Sequence, residues 1–241
     1  MQDVSSASDR EFSLIVPAKA FACSHQLTLV FIEVEALVAI EADVYSGNGP
    51  TCGYACSWLL AAVAISTVVE LGVNPSNIAI AKFTHSGSQI NDWTPQGTNA
   101  KDRNLYPQFI AFVKESIQDL NARGHEVELA GIFYHVGEND MSYGPYRKNA
   151  SQWLQSIVQQ SRLDLAIPSL KWFVSQQPPT DDKALNAIDV TANLAAIASA
   201  EAAIIHLKAF DLSPQKEKLV MATAGIVQLG EWLAQRYLEL P

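Results

Sequence analysis

Short apolar runs alternate along this chain with longer segments whose apolar residues recur every three or four positions. The runs are typical of buried strands, and the longer segments are typical of helices with one apolar face. The predicted strands are 12–16, 27–34, 77–83, 126–135, 170–176 and 203–209. The predicted helices are 52–72, 105–124, 146–165, 183–200 and 222–240.

This alternation predicts βαβ units and hence an α/β fold with a parallel sheet. Continuous apolar strands favour a sheet covered by helices on both faces. We therefore expect a three-layer α/β/α, flavodoxin-like architecture with a five-stranded parallel sheet, as a single domain over residues 1–241. In such folds the functional residues lie in the loops at the carboxyl ends of the strands.

Composition narrows the class of protein. The chain has 241 residues, of which 49% are hydrophobic and 17% charged, which argues against disorder. Its net charge of −9 argues against nucleic acid and anionic membranes as partners. No transmembrane segment is expected, because the densest apolar stretch contains Glu33, Glu35 and Glu41. The first twelve residues lack the basic region of a signal peptide.

The three cysteines do not form a disulfide framework, because their number is odd. Cys52 and Cys56 would share one face of a helix, and Cys23 lies apart from them. Too few further ligands lie nearby for a metal site. We interpret all three as small buried side chains and expect neither a metal nor a cofactor.

Four segments together resemble a known family. They are "GNGPTCGYA" (47–55), "KFTHSGSQINDW" (82–93), "YHVGENDM" (134–141) and "TAGIVQLGEWLAQRYL" (223–238). Their order and spacing are similar to the sialate O-acetylesterase and acetylxylan-esterase type of carbohydrate esterase, within the SGNH (GDSL-like) hydrolase superfamily. The resemblance covers residues 45 to 238, whereas residues 1–45 match poorly. It implies an SGNH-hydrolase fold, and an activity that removes acetyl groups from carbohydrate with a serine nucleophile and a histidine base.

The catalytic positions implied by the resemblance are altered in this chain. Lys19 stands where the nucleophilic serine is expected, and Ser24 reaches that role only with a longer connection after the first strand. Val220 stands at the position of the histidine base, with Glu217 at that of the acid that orients it. A serine hydroxyl without a nearby base is a poor nucleophile.

The oxyanion and substrate loops match better. Gly87 corresponds to a glycine of the family's second loop, and Asn139 corresponds to the superfamily's oxyanion amide. The family also has an acidic loop after the strand that ends at 135, and Gly137, Glu138 and Asp140 match its positions. Two histidines at predicted strand ends, His85 and His135, are low-ranked candidates for a relocated base.

Three hypotheses follow from these matches and departures. The first is a carbohydrate-esterase-like domain with an impaired catalytic site that binds acetylated carbohydrate. The second is an active serine esterase that uses Ser24 with His85 or His135. The third is a non-catalytic interaction module, since a fold by itself does not fix a function.

Overall fold

The computed structural model describes residues 27–34, 78–83, 85, 87–98, 103–177, 183–208 and 223–239. The predicted strand 12–16, the predicted helix 52–72 and the three cysteines lie outside these residues. For residues 27–34 the description is of the backbone.

Five strands occur in the described residues, each end within two residues of its predicted bound. They are β1 (Leu27–Val34), β2 (Ile78–Phe83), β3 (Val127–Val136), β4 (Trp172–Gln176) and β5 (Ile204–Leu207). They form one sheet in the order β2-β1-β3-β4-β5. The predicted mixed α/β class is therefore confirmed.

The direction of one strand differs from the prediction of an all-parallel sheet. β3, β4 and β5 are mutually parallel, but β1 is antiparallel to both β2 and β3. The expectation was wrong for β1 because an apolar run predicts burial, while strand direction depends on where the connections cross the sheet. β2 and β3 nevertheless point the same way, since both oppose β1.

The described helices follow the predicted periodic segments with two exceptions, the short helix 138–141, which was not predicted, and the predicted helix 183–200. They are α1 (Tyr106–Ala122), α2 (Glu138–Met141), α3 (Gly144–Asp164), α4 (Lys183–Asn186), α5 (Val190–Ala200) and α6 (Thr223–Leu238). The predicted helix 183–200 is instead two helices, α4 and α5. The carboxylate of Asp189 accepts a hydrogen bond from the backbone of Ala192 and caps a new helix there.

Alternate residues of the strands are buried on the two faces of the sheet. Ile132 and Tyr134 of β3 belong to the main core cluster, which also takes in apolar residues of α1, α3 and α5. Phe133, between them, is also fully buried but lies outside that cluster. Because successive side chains of a strand point to opposite faces, β3 is buried on both.

Large aromatic side chains fill the main core beneath residues 87–93. Trp93 makes edge-on contacts with Tyr134 and Phe109, and Phe109 makes the same kind of contact with Trp172. All four rings are buried, and each contributes roughly 1.5–3 kcal/mol or more of hydrophobic stabilisation. This packing holds the carboxyl ends of β2 and β3 on a rigid base.

No helix in the described ranges is long and apolar enough to cross a membrane. Within the same ranges, no three His, Cys, Asp or Glu side chains are grouped to hold a metal ion.

Candidate functional site

Two loops leave the sheet at the same edge. The first loop, residues 87–93, follows β2, and the second loop, residues 137–141, follows β3. β2 and β3 run in the same direction on either side of β1, so their carboxyl ends lie one strand apart. The topology therefore brings together the two segments that the sequence singles out.

The first loop begins with a tight turn. Gly87 has a φ of 64°, a left-handed conformation that glycine adopts without steric cost. The Ser88 hydroxyl donates to the His85 carbonyl at 2.9 Å and accepts from the Trp93 indole N–H at 3.1 Å. Trp93 is buried, so its place in the aromatic core fixes the turn from below.

Arg103 holds the turn from the other side. Its Nη1 donates to the Gly87 carbonyl at 2.9 Å and lies 3.8 Å from the carboxylate of Asp92. Asp92 in turn accepts from the backbone N–H of Gln89 at 2.9 Å and from the Thr98 hydroxyl at 3.0 Å. The Gly87 peptide is thus oriented by a guanidinium group that a buried carboxylate keeps in place.

The second loop is a single helical turn at the end of β3. Gly137 is buried, and its carbonyl accepts from the Met141 N–H at 3.1 Å. The buried Arg147, in the first turn of α3, donates to the carbonyls of Met141 at 2.9 Å and Ile188 at 2.8 Å. One guanidinium therefore joins this loop to the segment before α5.

Side chains of the second loop bind the backbone of the first. The Asn139 amide Nδ2 donates to the Ser88 carbonyl at 3.2 Å. Both carboxyl oxygens of Asp140 lie within hydrogen-bond distance of the Ile90 N–H, at 3.0 and 3.2 Å. An amide nitrogen carries two hydrogens, so Asn139 can hold Ser88 and still donate to a ligand.

The electrostatics of Asp140 are unusual. The side chain has no exposed surface. Burial raises the pKa of Asp140 to about 8, the Ile90 N–H lowers it, and the charge of Asp92 raises it further. Burial also raises the pKa of Tyr134 well above its ordinary value, and the charges of Asp140 and Asp92 add to this effect. A pKa of about 8 favours the protonated form of the Asp140 carboxyl group at neutral pH.

His135 forms its own buried cluster on β3. Its Nδ1 lies 2.7 Å from the Ser175 hydroxyl oxygen, and its Nε2 lies 3.3 Å from the side-chain amide oxygen Oε1 of Gln177. Burial lowers the pKa of His135 to about 4, and the hydrogen bond that its ring donates to the Gln177 side chain opposes this shift only in part. Ser175 has no exposed surface. A histidine and a serine thus lie in contact at the carboxyl edge of the sheet, but inside the protein.

Of the remaining candidates, His85 is the one that lies within the described residues. His85 is half-buried and meets the first loop through its carbonyl oxygen. Ser24, Lys19, Glu217 and Val220 lie outside the described residues.

Several residues that build the site were not singled out from the sequence. Arg103 and Arg147 lie outside the motif segments, and no local pattern links them to the loops they hold. A sequence signal did exist for Ser175, Gln176 and Gln177, because these three polar residues follow the apolar "WFV" (172–174) at the carboxyl end of a predicted strand.

Comparisons with known proteins concern the fold and the family of this chain. A structure from Arabidopsis thaliana, determined by X-ray crystallography, is similar with a TM-score of 0.56 and 19% identity, covering 83% of this chain and 72% of that one. This likeness concerns the fold. A search of curated proteins gave no match. The family model described as carbohydrate esterase, sialic acid-specific acetylesterase matches residues 37–239. The chain therefore belongs to the sialic acid-specific acetylesterase family of carbohydrate esterases.

Proposed function

We propose that this chain is a catalytically impaired member of its family that binds acetylated carbohydrate and hydrolyses it slowly or not at all. In this proposal Lys19 and Val220 replace the nucleophile and the base, and Glu217 is left without an imidazole to orient. Gly87, Gly137, Glu138, Asn139 and Asp140 form the substrate loops. The whole chain, residues 1–241, forms one three-layer SGNH-type domain.

The observation that carries this proposal is the junction between the two loops. The Asn139–Ser88 and Asp140–Ile90 hydrogen bonds hold the donor amide next to the Gly87 turn. Donors aimed in advance at a carbonyl oxygen bind it without reorganisation, which is useful for recognition as well as for catalysis. An acetyl carbonyl is therefore a suitable ligand for Asn139.

The geometry of His135 favours impairment over a relocated base. Both ring nitrogens have hydrogen-bond partners, and the pKa of about 4 makes the ring a weak proton acceptor. The alternative of an active esterase with Ser24 as nucleophile then requires His85 as the base.

One contact favours an active esterase with a different nucleophile, Ser175. Ser175 lies 2.7 Å from His135, the separation of a nucleophile from its base. However, the buried Ser175 hydroxyl would have to become accessible before an ester could reach it. An interaction module without a sugar ligand is the third possibility.

Two measurements on the purified chain separate these functions. Isothermal titration calorimetry with an acetylated xylo-oligosaccharide and with an O-acetylated sialic acid measures binding. Hydrolysis of 4-nitrophenyl acetate measures esterase activity, with Ser24→Ala and Ser175→Ala as the diagnostic variants. Saturable binding with a background hydrolysis rate that neither variant changes supports the proposal. Enzymatic hydrolysis abolished by either substitution would replace it with an active esterase, and absence of both binding and hydrolysis would favour an interaction module.

A further inference from the structure

Polar side chains are concentrated in the last positions of β3, β4 and β5. Five polar side chains lie at the carboxyl ends of these strands. Four of them are buried, His135, Ser175, Gln176 and Gln177, and the fifth, His206, is partly buried. Earlier residues of β4, Trp172 to Val174, are large and apolar. In parallel sheets a polar carboxyl edge above an apolar interior is the usual place for a ligand.

Two members of this group lie apart from the His135 cluster. Gln176 and His206 share the face of the sheet that includes Val174, because His206 pairs with Val174 and Gln176 is two residues further along β4. The His206 Nε2 lies 2.7 Å from Oε1, the side-chain amide oxygen of Gln176. A carbonyl oxygen only accepts, so Nε2 carries the proton and donates.

The same two side chains carry buried atoms that need partners. Among the described residues, neither the Gln176 Nε2 nor the His206 Nδ1 has a hydrogen-bond partner. Burial lowers the pKa of His206 to about 4, assisted by the charge of Lys208, so the ring is neutral and Nδ1 has a free lone pair. Buried polar atoms without partners are rare and costly, and a ligand or water that pairs with them is the usual reason they persist.

We propose that Gln176 and His206 form a binding subsite for the hydroxyl groups of a neutral sugar unit. The Gln176 Nε2 donates to one hydroxyl oxygen, and the His206 Nδ1 accepts the proton of a hydroxyl group. His206 is partly exposed, whereas Gln176 and both unpartnered atoms are buried, so the subsite has to open on the β5 side before a ligand reaches it. This inference rests on the proposed function and names the part of the ligand that lies away from the acetyl group.

The donor and acceptor pattern disfavours a fully ionised anion at this position. A carboxylate oxygen has no proton to donate to the His206 lone pair, and the partial negative charge on Nδ1 would repel it. A hydroxyl group both donates and accepts, so one kind of ligand group satisfies both atoms. The subsite therefore selects for uncharged, hydroxyl-bearing groups.

Calorimetry on the full chain tests the subsite with the near-isosteric Gln176→Met and His206→Phe variants. The titrants are an acetylated xylo-oligosaccharide, the same oligosaccharide after deacetylation, and sodium acetate. Trp172→Phe is the matched control, because it removes another buried, unpartnered N–H from the same face, four residues earlier on β4.

We expect both sugars to bind, and each test variant to weaken both by at least about fivefold, because a hydroxyl group then loses its partner. Trp172→Phe should leave both affinities unchanged, and acetate should not compete. If the deacetylated sugar binds the wild type as tightly as the acetylated sugar and the test variants weaken both, the proposed function is refuted and the subsite is retained. Equal affinities in wild type and both test variants, or no sugar binding at all, would overturn the subsite and identify the two atoms as water ligands. Circular dichroism of each variant verifies folding, and Gln176→Asn provides a second test at Gln176 if Gln176→Met does not fold.

Discussion

Replacing Asp140 with asparagine should change how the stability of this protein depends on pH. The Asp140 side chain has no exposed surface, and its two oxygens face the Ile90 N–H at 3.0 and 3.2 Å. Asparagine has nearly the same shape and keeps one carbonyl oxygen for the Ile90 N–H, but it cannot ionise. The substitution therefore isolates the titration of one buried carboxyl group.

The direction of the effect follows from the raised pKa. The pKa of Asp140 is about 8 in the folded protein, against an ordinary value of 3.8. Between these values the folded carboxyl group holds a proton that the unfolded chain has released. The free energy of unfolding of the wild type therefore falls as pH rises, by about 1.4 kcal/mol per pH unit from this group. From about pH 5 to pH 7 the loss amounts to about 2.7 kcal/mol.

The buried histidines act in the opposite direction. The pKa values of His135 and His206 are lowered to about 4, so their contribution to stability grows as pH rises from there towards 6.5. Both histidines are present in the wild type and in the Asp140→Asn variant, so their contribution cancels when the two free energies of unfolding are subtracted.

Urea unfolding at about pH 5, 6 and 7 measures this difference, followed by the fluorescence of the buried Trp93 and Trp172. The free energy of unfolding of the Asp140→Asn variant, relative to that of the wild type, should rise by about 1.4 kcal/mol per pH unit. Asp189→Asn is the control, because Asp189 also accepts a backbone N–H but lies at the exposed start of α5. A difference that stays constant with pH, or that favours the wild type at higher pH, would refute a protonated Asp140.

Three further substitutions test the framework of the site. Gly87→Ala should lower the free energy of unfolding by about 1–2 kcal/mol because of its positive φ, while Gly144→Ala, where an added Cβ meets nothing within 4 Å, should be neutral or stabilising in thermal unfolding. Arg147→Met leaves two backbone carbonyls without their donor and should cost about 2–4 kcal/mol in urea unfolding, whereas the exposed Arg236→Met should cost less than about 1 kcal/mol. His135→Phe should remove a stabilisation that grows between about pH 4 and 6.5, and an unchanged pH profile of stability would contradict a neutral, buried ring.

The sequence predicted the elements of this fold better than their arrangement. Strand 27–34 has the predicted bounds, because a continuous apolar run is a local property of the chain. Its antiparallel direction depends on connections that no local pattern records. The break at Asp189 was missed for a related reason. Helical periodicity continues across it, and only the hydrogen bond from the Ala192 N–H reveals the cap.

The resemblance assigned Gly87 and Asn139 to the family's oxyanion and substrate loops, and these roles stay predictions. In the structure, Asn139 binds the carbonyl of Ser88, next to Gly87. The partner of Asp140 was not predicted, since the Ile90 N–H is 50 residues away and a backbone group leaves no sequence signal. The burial of His135 was also missed, because a histidine at a strand end can face either the cleft or the interior.

Labelling with a fluorophosphonate probe, followed by mass spectrometry of the intact protein, tests the central claim most directly. Such a probe forms a covalent adduct with a serine that a base has activated. The account predicts no adduct on the wild-type chain under conditions that fully label an active serine esterase. A stoichiometric adduct on Ser24, Ser175 or any other serine would contradict it.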